Sequence, residues 1–279
     1  LGAPSDRVGE IAEKLDRTTK AFLDVDLRVA GQYQRMDAIE SAGRRTFAGE
    51  LGRRALELSG IGRRTGVDLS ANLRGPNNDG FDIDGCCDVH ISDCHLSCCD
   101  DAIVLKTSPH SRPQQRITVT GCIIRSRCAA LKLGANESYF DMRQIVFADC
   151  VVYESNRVVA LYSQHGAVYE DILVANIVYD TRCPLAFNRI VHIDLTRKSA
   201  SRPRGAIRNV TISNISGTSD GRILLTAEPG AQLENIRLDH IRIRYPVVDD
   251  PLAWHVDHGD SQFSPCNQEC RVARAVVCA

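Results

Sequence analysis

The sequence predicts an all-β fold, a parallel β-solenoid with coils of about 27 residues, and three observations lead there. One strand-and-turn pattern recurs six times. A second strand follows it in each period. Too few residues then remain in a period to hold a helix, which separates this repeat from ankyrin and tetratricopeptide arrays.

The recurring pattern is an alternating strand that ends in a polar turn. It reads Cys87-Asp-Val-His-Ile-Ser-Asp-Cys94, Gln115-Arg-Ile-Thr-Val-Thr-Gly-Cys122 and Arg143-Gln-Ile-Val-Phe-Ala-Asp-Cys150 in the first three coils. Glu170–Ile177, Arg208–Ile215 and Glu234–Ile241 continue it. The first apolar positions, Val89, Ile117, Ile145, Ile172, Val210 and Ile236, are spaced by 28, 28, 27, 38 and 26 residues. Second strands are expected at Ala102–Lys106, Ala130–Gly134, Val158–Tyr162, Leu185–Asn188 and Arg222–Thr226. Stacked coils place equivalent residues about 4.8 Å apart, so identical residues form ladders.

Cys94, Cys122 and Cys150 share one ladder position with Ile177, Ile215 and Ile241. Thiols that alternate with isoleucines read as small buried hydrophobes. Parallel in-register neighbours also hold their Cβ atoms wider than the roughly 3.8 Å of a relaxed disulfide. The doublets Cys86-Cys87 and Cys98-Cys99 lack the Cys-x-x-Cys spacing of a zinc site.

The ends differ from the middle. Residues 1–75 carry no period of 27, and Val8, Ile11, Leu15 and Phe22 have helical spacing, so this segment reads as a capping helix or as a frameshifted or foreign stretch. Residues 76–246 form the repeat. Residues 247–279 read as an irregular tail, with a short capping helix over Asn267–Val277. The start on Leu1 marks an expected fragment or processed form.

Thirty-four basic against 35 acidic residues leave a net charge of -1, which gives no polyanion-binding surface, so nucleic acid is not an expected partner. No apolar run of about 18 residues is present, so membrane insertion is not expected either. Gly60-Ile-Gly62 lacks the third glycine and the preceding strand of a dinucleotide fingerprint.

The chemistry-bearing residues precede the second strands. Asn77-Asn-Asp-Gly-Phe-Asp82 is followed by Cys99-Asp-Asp-Ala-Ile-Val-Leu-Lys106, with Asp100 and Asp101 lying 21 and 22 residues after Asp79. One coil therefore separates Asp79 from the aspartate doublet. The three carboxyl groups should cluster within about 5 Å, where like charges force at least one pKa upward. Glycoside hydrolysis needs such asymmetry: one protonated acid for the leaving oxygen and one ionised partner for water. Asp82 and Asp84 read instead as turn residues that cap backbone groups, as do Asp93, Asp149, Asn176 and Asn214.

These linked motifs, at this separation, resemble the paired signature of glycoside hydrolase family 28, the polygalacturonase-like enzymes, over about residues 76–246. The resemblance implies a right-handed parallel β-helix and an inverting hydrolase. It implies Asp100 as general acid, with Asp79 and Asp101 holding and deprotonating the water. It implies a polysaccharide or oligosaccharide substrate, no cofactor, no metal, a monomer, and a secreted or periplasmic location.

The sequence departs from that family in two places. Its histidine, on the coil after the doublet, falls at Ala129, and its Arg-Ile-Lys falls at Ala160-Leu-Tyr162. Ordinary polygalacturonase activity is therefore not expected, and a pectin-like or other acidic or deoxy-sugar glycan is. Strand alternation turns Lys106, Lys132, Tyr162 and Arg189 toward the cleft as substrate-binding residues, while Glu137 and His165 fall in loops at its rim. A polysaccharide lyase on the same fold and a catalytically inactive glycan-binding β-helix are the alternatives.

Overall fold

The computed structural model describes residues 62–73, 77–181 and 188–246, together with the backbone of Asp26–Val29 and Val276–Cys278. Among these residues there are strands and turns and no helix, as the repeat requires. The six anchor positions stand in one parallel ladder: Val89 pairs with Ile117, Ile117 with Ile145, Ile145 with Ile172, Ile172 with Val210 and Val210 with Ile236. The alternating strands thus stack as a parallel β-solenoid.

Each coil contributes to three faces. The first contains Cys87–Ser92, Gln114–Thr120 and Met142–Ala148, and the second contains His95–Cys98, Ile123–Ser126 and Val151–Val152. In later coils one long strand covers both, at Val168–Thr181, Ala206–Ser219 and Gln232–Arg244, which joins the two faces into one twelve-stranded sheet. The third face is a separate seven-stranded sheet of Phe81–Asp84, Ile103–Thr107, Ala129–Ser138, Arg157–Ser163, Arg189–Leu195, Arg222–Ala227 and Val276–Cys278. The inward residues of all three faces, among them Ile91, Ile117, Phe147, Leu96, Ile124, Leu105, Leu131 and Leu161, are fully buried in one core.

The thiol ladder lies in that core. Cys94, Cys122 and Cys150 are buried thiols, and each donates to the carbonyl two residues earlier, at 3.2, 3.4 and 3.1 Å.

The structure differs from the sequence expectation at four strands. Gly62–Thr65 and Val67–Ser70 pair in parallel with the next coil, Gly62 opposite Val89 and Leu69 opposite Leu96, so the solenoid begins before residue 76. Glycine and arginine, at Gly62 and Arg64, take the positions of Val89 and Ile91, which hides this coil from an apolar pattern. The coil after Ile172 carries a third-face strand at Arg189–Leu195, just after the expected strand, of which Asn188 is not in a strand and residues 185–187 lie outside the described residues. Val276–Cys278 is a strand against Ile223–Leu225 where a helix was expected; the rest of that expected helix, and the helical segment before Leu27, lie outside the described residues.

Corners are made by left-handed residues in two columns. Asp88, Arg116, Gln144, Asp171, Asn209 and Asn235 form one; Asp93, Gly121, Asp149, Asn176, Asn214 and His240 form the other, with φ between 50° and 65° throughout. Asn and Asp tolerate this conformation best among residues with a Cβ. Their side chains satisfy each other from coil to coil in place of the expected backbone caps: Asn176 Nδ2 donates to Asp149 Oδ1 at 2.9 Å, and Asn214 Nδ2 to Asn176 Oδ1 at 2.7 Å. Asn176→Ala should therefore cost about 1–2 kcal/mol. Asn176→Gly should cost less, as read from the midpoints of urea unfolding.

Candidate active site

Backbone pairing brings the two acidic motifs side by side. Asp100 N donates to Asn78 O at 3.2 Å, Gly80 N to Asp101 O at 2.9 Å and Phe81 N to Ala102 O at 2.8 Å. Gly80 makes this approach possible, since a methyl group there would collide with the Ala102 carbonyl. The doublet is fixed in turn from its own coil and from the following one. Ser126 Oγ donates to Asp100 O at 2.6 Å, Cys98 Sγ donates to the same oxygen at 3.2 Å, and Ala129 N donates to Asp101 Oδ1 at 3.2 Å.

The two adjacent aspartates lie in different electrostatic environments. Burial, then the charges of Asp101 and Asp79, push the Asp100 carboxyl above its ordinary value, and Lys132 opposes this only in part. Asp101 is buried more deeply, yet its carboxyl is held below the ordinary value. Burial alone would raise it, but the Lys132 ammonium, by charge and by hydrogen bond, outweighs that burial, and Cys128 adds a hydrogen bond. The Lys132–Asp101 pair is itself secluded, with each side chain 5% exposed. The two adjacent carboxyls are therefore pushed in opposite directions, Asp100 toward its protonated form and Asp101 away from it.

A second pair stands beside the first. Lys106 Nζ donates to Asp79 Oδ2 at 3.1 Å and to Asp82 Oδ2 at 2.9 Å. Asp84 behaves as expected, accepting from Ser108 N at 2.9 Å. Asp82 does not: it caps no backbone group in this arrangement and belongs to the acidic cluster. Parity on the strand is the signal that places it there, because Asp82, Val104 and Lys132 are register partners on one outward row.

The outward side of this sheet is not an open cleft along its whole length. Lys132, Tyr162 and Arg189, expected to face the cleft, are 4%, 1% and 3% exposed. Tyr162 Oη meets His192 Nδ1 at 2.8 Å, with the Lys132 ammonium 5.7 Å from its ring centre. His192 is fully buried, and burial, followed by the charges of Arg157 and Arg189, holds its pKa far below the ordinary range, so it is neutral. The insertion before Arg189 displaced His192 from the simple period. Glu137 lies within the strand Ala129–Ser138 and not in a loop, where its charge acts on Lys106. His165 is buried and stacks on Tyr139 at 4.3 Å.

Among the described residues, Asp100, Asp101 and Cys128 form the group whose ligand atoms lie within 4.8 Å of one another. Lys132 already supplies a cation to Asp101, and burial with the two aspartate charges keeps Cys128 a thiol, so the donor set suits proton transfer better than a metal ion.

Solenoid and acidic cluster together define the class: a parallel β-helix protein of the polygalacturonase-like architecture. A solved structure of this kind is the hyperthermoactive exopolygalacturonase from Thermotoga maritima, which matches with a TM-score of 0.53 at 21% sequence identity. The match covers 61% of this chain and 40% of that one, and at this identity the likeness is one of fold. No protein-family model and no curated protein matches the sequence.

Proposed function

We propose that this protein is a glycoside hydrolase that cleaves an O-glycosidic bond in a pectin-like or other acidic or deoxy-sugar glycan. The observation that carries this reading is the opposed pair at the doublet, with Asp100 pushed toward its protonated form and Asp101 held in its ionised form. Asp100 donates its proton to the leaving glycosidic oxygen as the C1–O bond breaks. Water, held by Asp79 and Asp101, forms the new bond at C1 and gives up its proton to this pair. The acid is left ionised and the base protonated, and exchange with solvent resets both.

The four residues expected to bind substrate divide in this scheme. Lys106, whose side chain is 17% exposed, meets the sugar; Lys132, Tyr162 and Arg189 act beneath it, Lys132 through Asp101. Ala129, Ala160 and Tyr162 at the positions of the family's histidine and cations argue for a substrate other than ordinary polygalacturonate.

Incubation with a panel of plant and host glycans tests the assignment. New reducing ends are expected, and proton NMR of the first product should show inversion at the anomeric carbon. Unsaturated, ultraviolet-absorbing products would instead make it a lyase. Glycan binding without release would make it an inactive carbohydrate-binding solenoid.

A further inference from the structure

Two carboxyl groups share one ammonium at Lys106. The side chains of Lys106, Asp79 and Asp82 are 17%, 11% and 4% exposed, so little solvent screens them. Asp82 Oδ2 accepts from Lys106, whereas Asp82 Oδ1 is buried with no hydrogen-bond partner. An ionised Asp82 would bury an anionic oxygen that receives no donor, next to a second carboxyl group. A proton on Oδ1 removes that charge and leaves a neutral hydroxyl, whose burial costs far less than that of an unpaired anion.

We propose that Asp82 is a positioning residue that carries a proton on Oδ1, leaves the Lys106 ammonium to Asp79, and so fixes the side chain that holds the attacking water. This deepens the hydrolase reading and rests on it. The site is then symmetric in composition, since each half holds two aspartates and one lysine, Asp79, Asp82 and Lys106 in one, Asp100, Asp101 and Lys132 in the other. One proton in each half balances the charge.

The surrounding charges agree. Burial pushes the Asp82 carboxyl up to about 8; the Lys106 charge opposes this, and the Asp79 charge and hydrogen bond reinforce it. Lys132 stands one strand further along the same row, beyond Val104, and Glu137 acts on Lys106 from the same neighbouring strand.

Two measurements on the full chain test the proposal. Between about pH 4 and about pH 8 the folded state holds a proton on Asp82 that the unfolded chain has lost, so stability falls as pH rises through that window. The melting temperature of the wild type should therefore drop relative to Asp82→Asn across this range and level off above it. Parallel melting curves would overturn the proposal, and because no substrate is involved, that failure is separate from a failure of the hydrolase reading. Asp82→Leu should lower kcat about tenfold or more with KM little changed. A kcat of Asp82→Leu equal to that of the wild type would equally overturn it.

Discussion

Asp100→Asn is expected to reduce turnover by about a thousandfold or more while leaving the melting temperature within a degree or two. General acid–base groups contribute about 10²–10⁴-fold, and an amide has no proton to give the leaving oxygen at neutral pH. The substitution is close to isosteric, and Asp100 is tied to the fold mainly through its backbone, whose carbonyl accepts from Ser126 Oγ and Cys98 Sγ. A glycan carrying a good leaving group, which needs no protonation, should recover much of the lost rate. Steady-state kinetics on paired natural and activated substrates, with thermal melts alongside, check both statements.

Lys132→Met should have the largest effect on stability. The Lys132–Asp101 pair is almost fully secluded, and removing one partner of a buried ion pair leaves the other charge uncompensated at a cost of about 3–5 kcal/mol. Asp101 has a folded pKa below its ordinary value of 3.8, so its pairing stabilises the protein above that pH and the benefit fades as pH falls through it. The gap between wild type and variant should therefore be widest near neutrality and narrow below about pH 4, where Asp101 is protonated in the unfolded chain and in the variant. Adding Asp101→Asn to Lys132→Met should recover part of the loss, because the stranded charge is gone. Denaturant unfolding of the three variants at two pH values reads all of this. Turnover of Lys132→Met should fall as well, since an Asp101 that takes up a proton cannot act as a base.

Much of this architecture was legible in the sequence because a solenoid repeats its own register. Once Val89, Ile117 and Ile145 set a period of 28, the same addition places Leu131 beside Ile103 and Ala129 over Asp101. The register is not legible where the period breaks. The extra residues before Arg189 shifted a strand and concealed His192, and a coil with Gly62 and Arg64 at ladder positions went unseen. Parity showed which side chains point outward from the third face, but not that Lys132, Tyr162 and Arg189 are covered there. Aspartate is common in turns, which favours a capping role for Asp82, whereas its outward parity on the strand and the Lys106 contact bring it into the acidic cluster.

The central claim is that Lys132 splits two adjacent aspartates into an acid and a base. Carbon-13 NMR titration of the aspartate side-chain carboxyls, assigned with Asp100→Asn and Asp101→Asn, tests it without any substrate. Asp100 should titrate above the ordinary carboxylate value of 3.8 and Asp101 below it. Two resonances that titrate together near that value, or in the reverse order, would contradict the account.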